Sequence, residues 1–505
     1  MTVGELVPRL SGGASSGCAT SMVAPEVLKR TVTAIAYDSR DVASGAVFVA
    51  IRGQRHDGTR FASDSMNRGA VLVVSASSPV DIRAGSWLQV PDARLALAEL
   101  SSAFYRDPSH DLTVVGVTGT NGKTTTTYLL ASIFESAGWR CGRVGSVGYQ
   151  TGGREEVSER TTPEAPQVQA LLCEMVEHRC VACVMEVSSH ALAMRRVDET
   201  RFSAGVFSNL TRDHLDYHPD MERYFEAKKR LFGMLSDGAP SIINIDDPHG
   251  RRLVSTVARP VTYGINEAAD VTPDRIELTP VGTALDVRTP LGRLQLKVSL
   301  PGRLNVYNVL AAVTAAVALD VPFQAIEQGV AALEGVPGRF EVVSISGDDV
   351  WVVVDFAHTD DALRALLVSV RELGHGRLIT VFGCGGDRDR DKRPLMGAVA
   401  ARLSELVILT ADNPRSEDPA RIISQIRQGI VSTNTHAAKL EHIAIHDRAA
   451  AIDHAIAEAA PGDAIVIAGK GHEVDQQVGN ERLPFDDRVV ARAALERRRR
   501  RASLS

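Results

Sequence analysis

Residues Gly116 to Thr126 read GVTGTNGKTTT, and this run carries the residue types best suited to phosphate chemistry. The apolar stretch 112–117 precedes it and an apolar-periodic stretch, 128–134, follows it, an order that predicts strand, glycine-rich turn and helix. Such a turn aims backbone N–H groups at a phosphate, and the helix N-terminus adds partial positive charge. Lys123 is expected to reach the outer phosphates of a nucleotide, and the Thr124 hydroxyl to ligate Mg²⁺. The common P-loop spacing requires a glycine at 117, where this chain has Val117 flanked by Gly116 and, two residues on, Gly119. The loop is therefore a variant. The competing reading is an ordinary glycine-rich turn.

Polar residues cluster after other apolar runs in the same part of the chain. Glu186 ends the run 181–187 ahead of Ser188, Ser189 and His190, and a carboxylate at a strand end suits Mg²⁺, or else caps a helix. After the run 204–207 comes SNLTRDHLDYH, which concentrates Asp213, His214, Asp216 and His218. That density fits metal or phosphate chemistry, while Thr211 and Asp213 are also candidates to cap a helix. The pair His214 and His218 supplies only two local zinc ligands, too few for a zinc site. In PGRLNVYNV, Asn305 and Asn308 fall on one face of a helix start. Asn308 is placed to bond an adenine edge or a phosphate, and Asn305 to cap.

Nearer the C-terminus, three loops follow predicted strands. GCGGDRDRDKR carries Arg388, Arg390, Lys392 and Arg393, DNPR spans Asp412, Asn413, Pro414 and Arg415, and GKGHE runs from Gly469 to Glu473. Arginine grips a carboxylate with two parallel hydrogen bonds, and Glu473 can pair an ammonium. Three such loops on one sheet edge describe a pocket for a zwitterion.

These loops need a scaffold. The chain has 505 residues, too many for a single core, which suggests three domains of ~150 residues. Residues 1–110 hold short β-rich runs at 46–51 and 70–74, a Gly/Ser-rich loop at 11–17 and no phosphate loop, so they are expected to hold a substrate. Residues 111–335 alternate strand and helix, with a strand-and-turn stretch at about 258–300 and a helix at 306–319. GVPG at 335–338 marks a linker. Residues 336–505 alternate again, with strands expected at 351–354, 378–382, 406–409 and 464–468 and helices at 361–373, 396–403 and 420–430. The fold class is α/β in three domains: a small α/β N-terminal domain, a central P-loop domain with a mostly parallel sheet and helices on both faces, and a C-terminal Rossmann-like doubly wound domain.

The net charge of −6 gives no reason to expect nucleic acid as a partner. Nothing near the start resembles a signal peptide, and no run of ~18 apolar residues spans a bilayer, so a cytoplasmic location without membrane attachment is expected. Six cysteines are too few for a disulfide framework, and Cys180 and Cys183 sit in an apolar run as buried free thiols. Arg497 to Arg501 are expected to form a solvated helix end.

Taken together, TGTNGKTTT, TTPEAP, MEVSSHAL, NLTRDHLDYH, YFEAKK, PGRLNVYN, VPGRFE, DFAHTDDAL, GCGGDRDRDKRPLM, DNPR and GKGHE resemble the Mur ligase family, in order and over nearly the whole chain. DNPR resembles the marker of the diaminopimelate-adding branch. The resemblance implies an ATP-dependent amide ligase of peptidoglycan precursor synthesis, and so a part in cell wall biogenesis, cell shape and division. Its implied partners are UDP-MurNAc-L-Ala-D-Glu and meso-2,6-diaminopimelate. ATP would phosphorylate the D-glutamate carboxylate, and the incoming amine would displace phosphate. A monomer is expected.

The resemblance also implies roles. Gly119, Thr120, Asn121, Gly122, Lys123, Thr124, Thr125, Asn308, Arg339, Asp355 and His358 would bind ATP. Thr124, Glu186 and His214 would hold Mg²⁺, together with Lys228 as a carbamate, and Lys123, His214 and Lys228 are the expected catalytic groups. A carbamate requires a neutral amine, hence a depressed lysine pKa. Tyr37, Ser39, Gln54, Arg55, His56, Thr161, Thr162, Ser188 and Arg196 would contact the UDP substrate. Arg388, Asp412, Asn413, Pro414, Arg415, Gly469 and Glu473 would form the amino-acid pocket, with Arg415 on the distal carboxylate and Glu473 on the distal ammonium.

Three positions depart from the family pattern: Met194 for a glutamine, Phe356 for a tyrosine and Asp360 for a proline. The rival readings are a lysine-adding ligase of the same family, folylpolyglutamate synthase, a P-loop kinase or GTPase, and a binding-only protein. The N-terminal DSR segment and DNPR argue against folylpolyglutamate synthase, and the missing guanine-reading NKxD motif against a GTPase.

Overall fold

The computed structural model describes residues 1–10, 23–53, 57–78, 85–433 and 441–502. The glycine/serine run at 11–17 and the expected substrate contacts Gln54, Arg55 and His56 lie outside the described residues.

The N-terminal part builds a four-stranded parallel sheet from Ala34–Ala36, Ala46–Ala50, Leu72–Ser75 and Trp87–Gln89, paired in chain order. Helix Ala93–Phe104 packs on it. Its first turn is capped by Asp92, whose carboxylate accepts from the N–H groups of Arg94 and Leu95.

The central sheet has eight strands. Thr113–Thr118 runs parallel between Ala182–Glu186 and Ala204–Phe207. Outside the latter lie Ser241–Asn244 and Pro260–Tyr263, also parallel. On the other side Cys141–Val144 runs parallel to Ala182–Glu186, and Gly148–Gln150 and Glu155–Val157 continue the sheet antiparallel. The stretch expected at about 258–300 therefore divides. Its first strand extends this sheet, and Thr272–Thr279, Gly282–Thr289 and Gly292–Val298 form a separate antiparallel meander. Leu285, Val287, Leu294 and Leu296 tuck that meander into the same core as helices Lys123–Ser136 and Arg303–Ala318. Thr124 to Thr127 open the first of these helices, although β-branched residues are modest helix formers. All four are buried, and packing overrides propensity.

The C-terminal sheet has the order Glu341–Val342, Trp351–Asp355, Ala464–Ala468, Leu378–Phe382, Leu406–Leu409, Glu441–Ala444, with all but the first strand parallel. Helices Asp360–Glu372, Lys392–Leu403 and Pro419–Thr433 cover one face and Arg448–Glu458 and Asp487–Ala502 the other, each face with its own core. The last two strands of the chain, Asp475–Val478 and Glu481–Pro484, pair as a hairpin.

The arginine run at 497–501 is less solvated than its composition suggests. Arg498 binds Asp349 through two nitrogens, at 2.7 and 2.8 Å, and also the carbonyls of Ile456 and Ala459. Arg497 pairs with Asp453 and Arg499 with Asp348. The run clamps the last helix to its domain. Cys141, Cys180, Cys183 and Cys384 are buried free thiols. Among the described residues no helix is long and apolar enough to cross a membrane.

Candidate active site

Strand Thr113–Thr118 delivers the phosphate loop to the carboxyl edge of the central sheet, where parallel sheets place their ligands. Val117 is a buried strand residue, so the loop begins after it, and Gly119 and Gly122 make its turns. Both have positive φ, 147° and 87°. A Cβ on Gly119 would meet Ser208 Oγ at 1.9 Å, and one on Gly122 would meet Asn308 Oδ1 at 2.4 Å. Only glycine fits at either position.

The loop is stitched to the segment after the neighbouring strand. Asn209 Oδ1 accepts from Asn121 N at 2.9 Å, Ser208 Oγ donates to Asn121 O at 2.6 Å, and Thr120 Oγ1 accepts from Thr211 N at 3.0 Å. Lys123, expected to point outward to phosphates, folds back instead: its ammonium donates to Gly119 O at 3.0 Å and Thr120 O at 2.8 Å. Those carbonyls are the loop's own, and a phosphate would compete with them for the ammonium. Thr125 is buried in the first helical turn.

The Thr124 hydroxyl donates to Glu186 Oε1 at 3.0 Å. Glu186 also accepts from Ser146, from its N–H at 2.8 Å and its hydroxyl at 3.1 Å. Ser188, not Glu186, caps the short helix Ser189–Ala193, so the capping alternative for Glu186 falls. Nor do Thr211 and Asp213 cap a helix, since the next one, Met221–Lys229, starts at Asp220. Asn305 is likewise not the cap of its helix. That is Gly302, and Asn305 Nδ2 reaches back to Pro301 O at 2.8 Å. Its Oδ1 holds Asn308 Nδ2 at 3.0 Å, steering Asn308 against Gly122.

His214 has φ 56°, a left-handed backbone that sets its ring beside Asp213, at 3.3 Å, and edge-on to His190. Burial, reinforced by His190, Lys228 and Lys123, outweighs the pull of Asp213 and lowers its pKa, which favours the neutral ring. Lys228 is buried, its ammonium 2.6 Å from Gly119 O and 4.5 Å from the centre of the Tyr224 ring. Burial first, and Lys123 second, push its pKa well below the usual lysine value. The neutral amine that carbamylation requires is thus favoured here.

The C-terminal domain reaches over this site. Arg339 Nη2 donates to Thr124 Oγ1 at 3.2 Å, and its guanidinium lies 4.4 Å from the centre of the Phe356 ring. The ring face, not a hydroxyl, is what Phe356 supplies, which makes the substitution for tyrosine a mild one. Asp355 accepts from Phe340 N and Ala357 N, both at 2.7 Å, and so fixes the segments carrying Arg339 and His358. His358 Nε2 lies 4.0 Å from Asp213. Asp360 occupies the first turn of its helix, where a carboxylate is favoured by the helix dipole, and stands 3.9 Å from Arg212.

At the border with the N-terminal domain, Thr162 Oγ1 donates to Glu186 O at 2.8 Å and accepts from Ser188 N at 3.1 Å, while Thr161 Oγ1 lies 3.0 Å from Ser146 Oγ. Arg196 binds Thr162 O and lies 2.9 Å from Glu164, a buried carboxylate the sequence reading passed over. Glu164 also pairs with Arg160 and lies 3.8 Å from Arg94. Burial first, and the charge of Glu164 second, raise the pKa of Tyr37. Met194 Sδ, where the family has a glutamine, sits 3.3 Å from Arg196 Nη2. Ser39 opens the turn Ser39–Asp41 in the N-terminal domain.

Adjacent parallel strands bring together the three loops of the last domain. Arg415 has φ 51°, and its Nη1 donates to Gly386 O at 2.7 Å. Pro414 O lies within 1.9 Å of where a Cβ on Gly386 would fall, and Asp412 Oδ2 within 2.6 Å of one on Gly469, so a backbone carbonyl closes on the first glycine and a carboxylate on the second. Asn413 Nδ2 donates to Glu473 Oε2 at 2.8 Å. Of the charge run, Arg388 is exposed beside Gly385, whereas Arg393 is buried and bound to Glu417 at 2.9 and 3.0 Å. Arg390 joins Glu417 at 3.3 Å. Two of the four cations are thus structural. Asn209, Ser146, Glu164 and Lys470 are among the polar residues of the site that sequence reasoning missed. Asn209 and Lys470 lay inside noted motifs, and Ser146 had no signal beyond its place after a strand.

A phosphate loop on a parallel sheet, overhung by an arginine from a second α/β domain, defines a nucleotide-using enzyme of three domains. The family comparisons agree in order and extent. Residues 31–105 match the Mur ligase family catalytic domain, 117–316 the Mur ligase middle domain and 338–471 the Mur ligase glutamate ligase domain. The chain belongs to the Mur ligase family. It is 43% identical to the UDP-N-acetylmuramoyl-L-alanyl-D-glutamate--2,6-diaminopimelate ligase of Alkaliphilus metalliredigens, over 91% of this chain and 92% of that one. With the ligase of the same name from Gloeobacter violaceus it shares 45%, over 93% and 95%. A solved structure of such a ligase superposes with a TM-score of 0.66 at 34% identity, covering 93% of this chain and 96% of that one. MurF ligase from Thermotoga maritima, solved in complex with ADP, shares the fold at 19% identity and a TM-score of 0.64, over 92% and 99%.

Proposed function

We propose that this chain is the ATP-dependent ligase that joins meso-diaminopimelate to the D-glutamate carboxylate of UDP-MurNAc-L-Ala-D-Glu. The observation that carries the reading is the pairing of two sites. One is the phosphate loop with Arg339 at Thr124. The other is the Arg415, Asn413 and Glu473 cluster on the facing domain. Both reactants of the first step, a carboxylate and a triphosphate, are anions, so the work of the protein is to hold like charges together. Gly119 to Thr125 cradle the phosphates, with Asn308, Asp355 and His358 flanking the nucleotide and Arg339 closing over it. Arg196, Thr161, Thr162, Ser188, Tyr37 and Ser39 hold the UDP substrate.

In the first step the carboxylate oxygen attacks the γ-phosphorus and ADP leaves. In the second the free amine attacks the carbonyl carbon of the acyl phosphate, and inorganic phosphate and a proton depart. Closure of the C-terminal domain excludes water, which would otherwise hydrolyse the acyl phosphate. Thr124 and Glu186, which share a hydrogen bond in a buried position, would hold Mg²⁺, and the family resemblance implies His214 and a carbamate on Lys228 as further ligands. When bound, Mg²⁺ would supply charge neutralisation at the phosphates.

In the acceptor pocket Arg415 takes the distal carboxylate and Glu473 the distal ammonium, with Arg388, Asp412, Pro414 and Gly469 forming its walls. The test is phosphate release with diaminopimelate, lysine and glutamate as alternative acceptors. Turnover with diaminopimelate alone supports the reading, and turnover with lysine alone overturns it.

A further inference from the structure

Lys470 is one of the largest fully buried side chains of the molecule, and no role in the reaction has fallen to it above. Burying an ammonium is expensive unless its hydrogens are well matched. Here Nζ donates to Asn413 Oδ1 at 3.1 Å and to Glu473 Oε2 at 2.8 Å. Asn413 Nδ2 donates to the same Glu473 oxygen at 2.8 Å, and Gln477 N donates to Asn413 Oδ1 at 2.9 Å. The three side chains form a closed triangle. The Asn413 amide has one orientation only, since turning it over would set its NH₂ against two donors. Among the described residues, every hydrogen bond to the Glu473 carboxylate falls on Oε2, which leaves Oε1 for an incoming group.

The triangle also joins two loops. Asn413 is two residues from Arg415, and Lys470 three from Glu473, so the ammonium of Lys470 fixes the spacing between the cation and the anion that flank the acceptor pocket. We propose that Lys470 is a positioning residue for acceptor selection: through Asn413 and Glu473 it sets a rigid two-point gauge for the carboxylate and ammonium on one distal carbon. This rests on the ligase reading above. A gauge with two fixed charges, and with the reacting amine as a third point, discriminates between stereoisomers at that carbon. The meso and L,L forms of diaminopimelate differ in nothing else.

The experiment compares Lys470→Met and Lys470→Gln with the unaltered full-length chain, with melting curves to establish folding. For each the KM for ATP, for the UDP-dipeptide and for meso- and L,L-diaminopimelate is measured. The expected result is a rise of about tenfold or more in the meso-diaminopimelate KM, unchanged KM for the other two substrates, and a reduced preference for meso over L,L. In a Glu473→Gln background the same replacements should add nothing further, because the gauge is already broken. An unchanged acceptor KM and stereochemical preference in a folded variant overturns the proposal, as does an equal rise in all three KM values or full additivity with Glu473→Gln. Failure of the unaltered chain to use diaminopimelate would instead overturn the ligase reading, and this proposal with it.

Discussion

Arg339 Nη2, carried just beyond the linker on the C-terminal domain, donates a 3.2 Å hydrogen bond to Thr124 Oγ1 on the phosphate loop of the central domain. A second contact runs parallel to it: His472 Nε2 lies 3.0 Å from Ser146 O, the residue whose N–H and hydroxyl both bind Glu186. Burial, with Arg339 beside it, brings the His472 pKa down to about 3, so the ring docks in its neutral form. The two contacts join the two domains at the phosphate loop, so a nucleotide bound there as proposed would meet both. Arg339→Ala should therefore raise the ATP KM and lower kcat, with a combined loss of about 2–4 kcal/mol in transition-state stabilisation. Small-angle scattering on both proteins supplies a second check, because nucleotide-dependent compaction should be weaker in the variant. An ATP KM equal to that of the unaltered enzyme would remove Arg339 from the site.

Lys228 lies one helical turn from Tyr224 and donates to Gly119 O, so its amine sits under the phosphate loop with Lys123 close by. Two adjacent ammonium groups are unfavourable in a buried site, and conversion of one to a carbamate reverses that repulsion. Lys228→Ala should lose at least about 100-fold in kcat and regain part of it when short-chain carboxylates are added. Full activity without rescue would show that no carbamate acts at this position.

Much of this was legible in the sequence because parallel α/β sheets put function at strand ends, and strand ends are visible as polar residues after apolar runs. The phosphate loop, Glu186, the 208–218 segment and the three C-terminal loops all stand at strand ends as expected, and strands such as Ala204–Phe207 and Leu378–Phe382 carry the expected bounds. What stayed hidden has physical causes. The strand Glu441–Ala444 buries no residue fully and lies at an edge, so its pattern is weak, and the hairpin from Asp475 to Pro484 is mostly polar, with Val478 and Leu483 exposed. The capping alternatives for Asn305, Thr211 and Asp213 fall because glycine or a later aspartate takes the position, as with Gly302 and Asp220. Lys470 was overlooked because a lysine between two glycines reads as exposed, and only the tertiary fold supplies the amide and carboxylate that bury it.

The Arg393–Glu417 pair gives a prediction about stability and acidity. Arg393 hydrogen bonds, against the effect of burial and with help from Asp387 N, bring the Glu417 pKa from 4.5 down to about 2. A depressed carboxylate pKa stabilises the fold fully above about pH 4.5, the unfolded value, and that contribution drains away as the pH falls towards 2. Glu417→Gln should flatten the loss of melting temperature across this window. Glu417→Ala, which leaves Arg393 buried with only Gln425 and Gly385 O, should cost about 3 kcal/mol at neutral pH. Denaturant titrations at pH 7 and at pH 3 separate the two effects. A variant with the acid sensitivity of the unaltered protein would show that other carboxylates govern its acid unfolding.

Arg415 bears the largest consequence for specificity. Its guanidinium is half-buried, burial together with the nearby Arg388 lowers its pKa, and one nitrogen is held by Gly386 O while the rest of the fork remains for a ligand. A carboxylate on the acceptor would satisfy that fork with two charge-assisted bonds. Lysine has an ammonium at its far end but no carboxylate there, and so would leave the guanidinium desolvated and unpaired, a penalty of about 2–3 kcal/mol or 30- to 150-fold in kcat/KM. Arg415→Ala should remove most of that difference by raising the diaminopimelate KM and relieving the penalty on lysine, with the ATP KM nearly where it was. Arg415→Lys should recover little, since a point charge does not reproduce the planar fork. The measurement is kcat/KM for both acceptors at saturating ATP and UDP-dipeptide. If the two acceptors fell in parallel, Arg415 would be acting on the loop as a whole and not on the distal carboxylate.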